Sequence, residues 1–145
     1  MTLHQHSFFL SEPLTLTEVL QTIEQGKSLA QTNLQGINLS QMDLSGIDLS
    51  GTNLIGANLS KTNFQGANLQ GVDFRRVSLR DANLSEANLQ ESYLMRADLQ
   101  GCNLADTNLE SAKLKLALYD RQTIWPEGFN YQKSGAVGPK ASLSG

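Results

Sequence analysis

The residues that could do chemistry are few and poorly grouped. His4 and His6, one residue apart, are the only two histidines among 145 residues. Two imidazoles could hold part of a metal site, but protein metal centres usually draw three or four ligands, and the surrounding MTLHQHSF reads as a solvated tail. Cys102 is the single cysteine, which excludes an intramolecular disulfide and a cysteine metal cluster. It reads as a small buried thiol. Asp and Asn are abundant but recur at even intervals, whereas acid–base catalysis needs a positioned group of titratable side chains. Gly36, Gly46, Gly51, Gly56, Gly66, Gly71 and Gly101 fall at the same regular spacing, without the lysine or the strand-to-helix context of a phosphate loop. We therefore expect no enzyme, no cofactor and no metal.

A five-residue repeat must position whatever function exists. Leucine or phenylalanine returns at every fifth residue from Leu29 to Leu114, giving eighteen centres, of which only Phe64 and Phe74 are not leucine. On a helix such residues wind around the axis, and on one long strand they change face at each step. A chain that turns once per repeat lets every centre point at a common axis, as in a solenoid. Two residues before the centre the side chain is small or β-branched, as in Ala57, Val72, Ala87 and Cys102. One residue before it stands Asn or Asp in fourteen of the sixteen repeats centred from Leu34 to Leu109, with Ser78 and Tyr93 the departures. This alternation puts two side chains inward and one outward, and the remaining pair, often Ser-Gly or Gln-Gly, suits a corner.

The run ANLSEANLQ resembles the A(N/D)LXX units of the pentapeptide-repeat family. The resemblance covers residues 27 to 116. It implies an all-β fold, a right-handed quadrilateral β-helix of about four to five coils with four repeats in each. In that geometry residues twenty apart stack, so Leu34, Leu54, Phe74, Leu94 and Leu114 form one inward column, and Phe64 lies in the opposite one. The tail YDRQTIWPEGF resembles the segment that follows the repeats in many cyanobacterial members.

Three regions follow from the pattern. Residues 1–26 form an N-terminal segment whose Thr15 and Glu18 have capping-box spacing, with Leu16, Val19, Leu20 and Ile23 at helical spacing and Gly26 as a stop. A short helix over about 16–25 is expected to cap the first coil, the alternative being a partner-binding helix. Residues 27–118 are the β-helix. Residues 119–145 carry Tyr119, Trp125, Phe129 and Tyr131 as an aromatic cap over the last coil, followed from about residue 133 by a flexible tail with little to pack. Capped ends favour a monomer, although the same aromatics could form a dimer interface.

Neither a basic, apolar leader nor a membrane-length apolar run is present, so a cytoplasmic protein without membrane contact is expected. The net charge of −3 argues against direct nucleic-acid binding. Under the four-sided geometry one surface differs from the others: Ile55, Arg75, Arg76, Tyr93, Met95 and Arg96 share it. Tyr, Met and Arg are enriched in protein interfaces, so this is the candidate interaction patch, unless the terminal segments fold over it. The function expected is that of a non-enzymatic scaffold binding an unidentified protein. Some members of the family mimic duplex DNA and modulate or protect DNA gyrase, which is the alternative. It is disfavoured because nine acids against eight bases leave residues 27–118 at −1, whereas a duplex carries about one charge per 1.7 Å.

Overall fold

In a computed structural model residues 11–139 are described, and the His4/His6 pair lies outside them. The chain builds a coil by parallel pairing of residues twenty apart. Asn33 pairs with Asn53, Asn53 with Asp73, Asp73 with Tyr93 and Tyr93 with Lys113, and three further columns behave likewise. Twenty residues contain four five-residue units, so the coil has four sides, which we call by a member of each outward column: the Tyr93, Ser78, Asn83 and Asn88 faces.

Each unit contributes one bridged residue and no longer strand. The reason is local. Two residues after every centre the backbone turns into the left-handed region, as at Gly56 (φ 69°), Arg76 (φ 58°) and Glu86 (φ 62°), and extended pairing stops there. Within a unit the Leu54 N–H donates to the Asp73 carbonyl on the next coil at 2.9 Å, and the Gly56 N–H donates to the Arg75 carbonyl at 2.9 Å. The Asn53 N–H donates backwards to the Thr32 carbonyl at 3.1 Å, and the Ala57 N–H closes the corner onto the Leu54 carbonyl at 3.0 Å.

The remaining N–H of the unit, on the residue after the centre, explains the Asn/Asp rule. In all fourteen units that carry Asn or Asp before the centre, its side-chain oxygen accepts the N–H of the residue after the centre, from Gln35 onto Asn33 to Glu110 onto Asn108. The short Asx bond satisfies a donor that points along the surface, away from the neighbouring coil. Inside, the centres are buried, Phe64 and Phe74 among them, together with Ala57, Val72, Ala87 and Cys102. Each leucine removed from water is worth roughly 1.5–3 kcal/mol, and burial pushes the Cys102 thiol far above its ordinary range.

Polar residues that replace alanine inside need a partner, and Thr62 and Thr107 find one. Thr62 donates its hydroxyl to the Leu39 carbonyl at 2.9 Å, and Thr107 to Leu84 at 3.0 Å. The Thr52 hydroxyl has none, since the equivalent Leu29 carbonyl already accepts both the N–H and the hydroxyl of Thr32. Ser92, fully buried, is also without a partner.

The helix forms at Leu16–Glu24 (α1), close to the expected span. Its capping box is complete: Glu18 N–H donates to Thr15 Oγ1 at 3.1 Å and Thr15 N–H donates to Glu18 Oε1 at 3.0 Å. Of the apolar stripe only Val19 is buried, while Leu16, Leu20 and Ile23 stay partly exposed. α1 therefore rests on the first coil by a narrower contact than its sequence pattern suggests.

At the other end the coil continues past the expected boundary at residue 118. Tyr119 and Trp125 occupy successive centre positions, preceded by Leu118 and Ile124 in the outward one, and Asn103 pairs with Ile124, twenty-one residues on. The inserted residue is taken up by Asp120, whose Oδ1 accepts the N–H groups of Gly101, Gln122 and Thr123, each at 3.0 Å. Trp125 stacks between Phe129 and Tyr131, with centroids 5.6 and 5.3 Å away, and Tyr119 meets Trp125 edge-on at 5.5 Å. The expectation that residues from about 133 onward have nothing to pack against fails for residues 133–139. Leu116 N–H donates to the Gly135 carbonyl at 2.8 Å, Val137 pairs with Leu118, and Gly138 lies against the Tyr119 ring so closely that no side chain would fit. The bare backbone of Gly135 and Gly138 is what makes this packing available.

Two predictions follow from these contacts. Ser92→Ala removes an unpaired buried hydroxyl and should raise the denaturation midpoint by an amount equivalent to about 1 kcal/mol, whereas Thr62→Val, which loses a made bond, should lower it by a similar amount. Asp120 is held below the ordinary carboxylate range, chiefly by the Gly101 N–H. A carboxyl depressed on folding stabilises above its unfolded pKa and loses that contribution as pH falls through its folded value. Asp120→Asn should therefore flatten the acid side of the stability profile measured by chemical denaturation.

Candidate interaction face

On the Tyr93 face the outward column begins with Asn33 and Asn53 and then changes character at Asp73, Tyr93 and Lys113. The residues after the centres run Gln35, Ile55, Arg75, Met95 and Lys115, and the corner beside them runs Gly36, Gly56, Arg76, Arg96 and Leu116. All six residues singled out from the sequence thus lie on this face or its corner, across three successive coils. Tyr93 is 40% exposed. Arg75, Arg76 and Arg96 are exposed, and Ile55 and Met95 are half-buried. The segment 135–137 lies above Leu116 and Leu118 as the start of a further coil, and does not cover Tyr93.

The cations are not equivalent. Arg75 forks onto Asp73, with Nε 2.9 Å from Oδ1 and Nη2 2.7 Å from Oδ2, and these bonds raise its pKa above the ordinary arginine value. Being exposed, the pair is worth little to stability, but it neutralises Arg75 locally. Lys113 places its Nζ 5.9 Å from the centre of the Tyr93 ring. The described ion pairs are Arg75 with Asp73 and Arg80 with Asp98, so Arg76 and Arg96 present unpaired guanidinium groups, one coil apart. They stand in the left-handed corner that Gly36 and Gly56 fill in the two preceding coils.

Acids gather elsewhere. Glu86 and Asp106 form the corner of the Asn83 face, and Glu91 and Glu110 flank the Asn88 face. Near-neutrality of the array therefore hides a lateral separation of charge. The sequence reading missed a second group as well: Leu118 (43% exposed) and Val137 (47%) stack on the Ser78 face, with Ile124 on the next. Carrying the five-residue register past Leu114 would have found Leu118, but Ile124 and Val137 follow an insertion that the register does not announce.

Among the described residues no group of three or more His, Cys, Asp or Glu side chains converges as a metal site would require, and no helix is long and apolar enough to cross a membrane.

The comparisons with known proteins agree with this architecture. The family model for pentapeptide repeats matches residues 43–81 and 78–115, together half of the chain. A pentapeptide repeat protein from the thylakoid lumen of Arabidopsis thaliana is 27% identical with a TM-score of 0.62, over 77% of this chain and 74% of that one. One from the cyanobacterium Cyanothece 51142 is 39% identical over 65% of this chain and 60% of its own, with a TM-score of 0.41. Another, from Nostoc PCC 7120, is 32% identical over 89% of this chain and 100% of its own, with a TM-score of 0.33. Among curated proteins none matches. The chain belongs to the pentapeptide-repeat family, and its coil is that family's right-handed β-helix.

Tyr93 breaks the Asx rule at a structural cost, because a phenol cannot accept the Met95 N–H as an asparagine would. Tyr93→Asn should restore that bond and raise stability by about 1 kcal/mol, read as a higher midpoint in thermal or denaturant unfolding.

Proposed function

We propose that this protein is a non-enzymatic β-helical scaffold that binds another protein through the face carrying Ile55, Arg75, Arg76, Tyr93, Met95 and Arg96. The observation that supports this most is Tyr93 itself. The repeat asks for Asn or Asp at its position, and the chain instead carries an exposed aromatic beside a methionine and unpaired arginines. Interfaces favour this composition, and departures from a structural rule concentrate at functional sites. In this reading α1 and the Tyr119–Trp125–Tyr131 cluster close the two ends of the stack, since an open coil would expose apolar side chains and unpaired backbone. The protein then acts as a monomer in the cytoplasm, in a regulatory role of the kind the cyanobacterial tail resemblance suggests.

A gyrase-directed DNA mimic is less well supported. It requires acids along the length of a rod, and here the acidic side chains Glu86, Asp106, Glu91 and Glu110 cover a short stretch of two adjacent faces, one of which borders the basic Tyr93 face.

The test is affinity capture from the source cells with wild-type protein, Tyr93→Ser/Met95→Ser, and a control altered on the opposite face, Asn83→Ser/Ser85→Ala. The partner should vanish with the first pair and persist with the control. A partner retained by Tyr93→Ser/Met95→Ser contradicts the proposal.

A further inference from the structure

The Tyr93 face differs from the other three in charge as well as in shape. Its cations Arg76, Arg96, Lys113 and Lys115 are offset there only by Asp73, which is committed to Arg75. One border is acidic, with Glu91 at the corner, whereas on the other Asp98 is paired with Arg80. A basic strip with a carboxylate along one edge favours a narrow anionic ligand over a wide one.

Resting on the reading of this face as a protein-binding surface, we infer that it takes an acidic polypeptide segment, laid along the coil axis. Carboxylates would meet Arg76 and Arg96, and an apolar side chain would lie against Tyr93 and Met95. Coils repeat at about 4.8 Å, while side chains of an extended peptide recur at about 3.4 Å from one residue to the next and at twice that on one face. Alternate glutamates can therefore span the two guanidinium groups, each of which can bind a carboxylate with two parallel bonds. A nucleic acid fits less well. Its phosphates would approach Glu91, and half-buried Met95 and Ile55 offer an apolar floor that a sugar–phosphate backbone does not use.

The same corner suggests variants that keep the fold. Glu86 and Glu91 hold this left-handed conformation elsewhere, with φ of 62° and 60°, so Arg76→Glu/Arg96→Glu places a residue type already accepted at such corners. Lys27→Glu/Lys61→Glu makes the same change in charge away from the face. The experiment is fluorescence anisotropy of the full chain with three labelled probes: a peptide alternating glutamate and leucine, its lysine–leucine counterpart, and single-stranded DNA. The acidic peptide should bind, weaken with added salt, and lose about tenfold or more in affinity with Arg76→Glu/Arg96→Glu, as truncated interfacial charge contacts do. Lys27→Glu/Lys61→Glu should leave it unchanged. Equal losses in both variants, preference for DNA or for the lysine peptide, or no binding of the acidic peptide would each overturn the inference. The binding face would survive that failure if Tyr93→Ser/Met95→Ser still lost the captured partner, so the two claims fail separately.

Discussion

The hydrogen bond from the central N–H of every unit from Leu34 to Leu104 to a carbonyl one coil further on constrains everything else in this molecule. It ties Leu54 to Asp73, Phe74 to Tyr93 and Leu94 to Lys113, and so forces residues twenty apart to stack. Once that register is set, every centre fills the same axis, and the inward position beside it takes an apolar side chain or, as with Thr62, a hydroxyl that donates to the coil before it. A filled axis leaves little room for a site inside. Function must then be carried outside, on side chains that the register leaves free.

The same constraint explains what the sequence could disclose. The period of five, the columns of leucine and phenylalanine, the corner positions and the capping box of α1 were all legible, because each is a local consequence of a repeating backbone. The Asn/Asp rule was visible as a pattern, and its cause, the N–H of the following residue, needed coordinates. What stayed hidden depended on a change of register. Asp120 absorbs one extra residue by gathering three backbone donors, so Ile124 pairs where residue 123 would have done. The packing of residues 135–138 could not be foreseen either, because two glycines read as flexibility when their role is to let backbone approach Lys115 and Tyr119.

The candidate face was only partly legible. Tyr93 and the arginines stood out as departures from the repeat, and four-sided stacking put them together. Their inequality did not show: Arg75 is held by Asp73, whereas Arg76 and Arg96 are unpaired. A net charge summed over the array gives nearly zero and conceals an excess of bases on the Tyr93 face and of acids on the Asn83 and Asn88 faces. In a molecule whose backbone is the same on four sides, such lateral differences are the available means of choosing a partner.

The most direct test places a photo-crosslinking amino acid in turn at Ser78, Asn83, Asn88 and Tyr93, the four outward positions of a single coil, and exposes each protein to an extract of the source cells. Position 93 should yield a specific crosslinked product, and positions 83 and 88 none. A product formed from position 83 or 88, with none from 93, would contradict the proposed face.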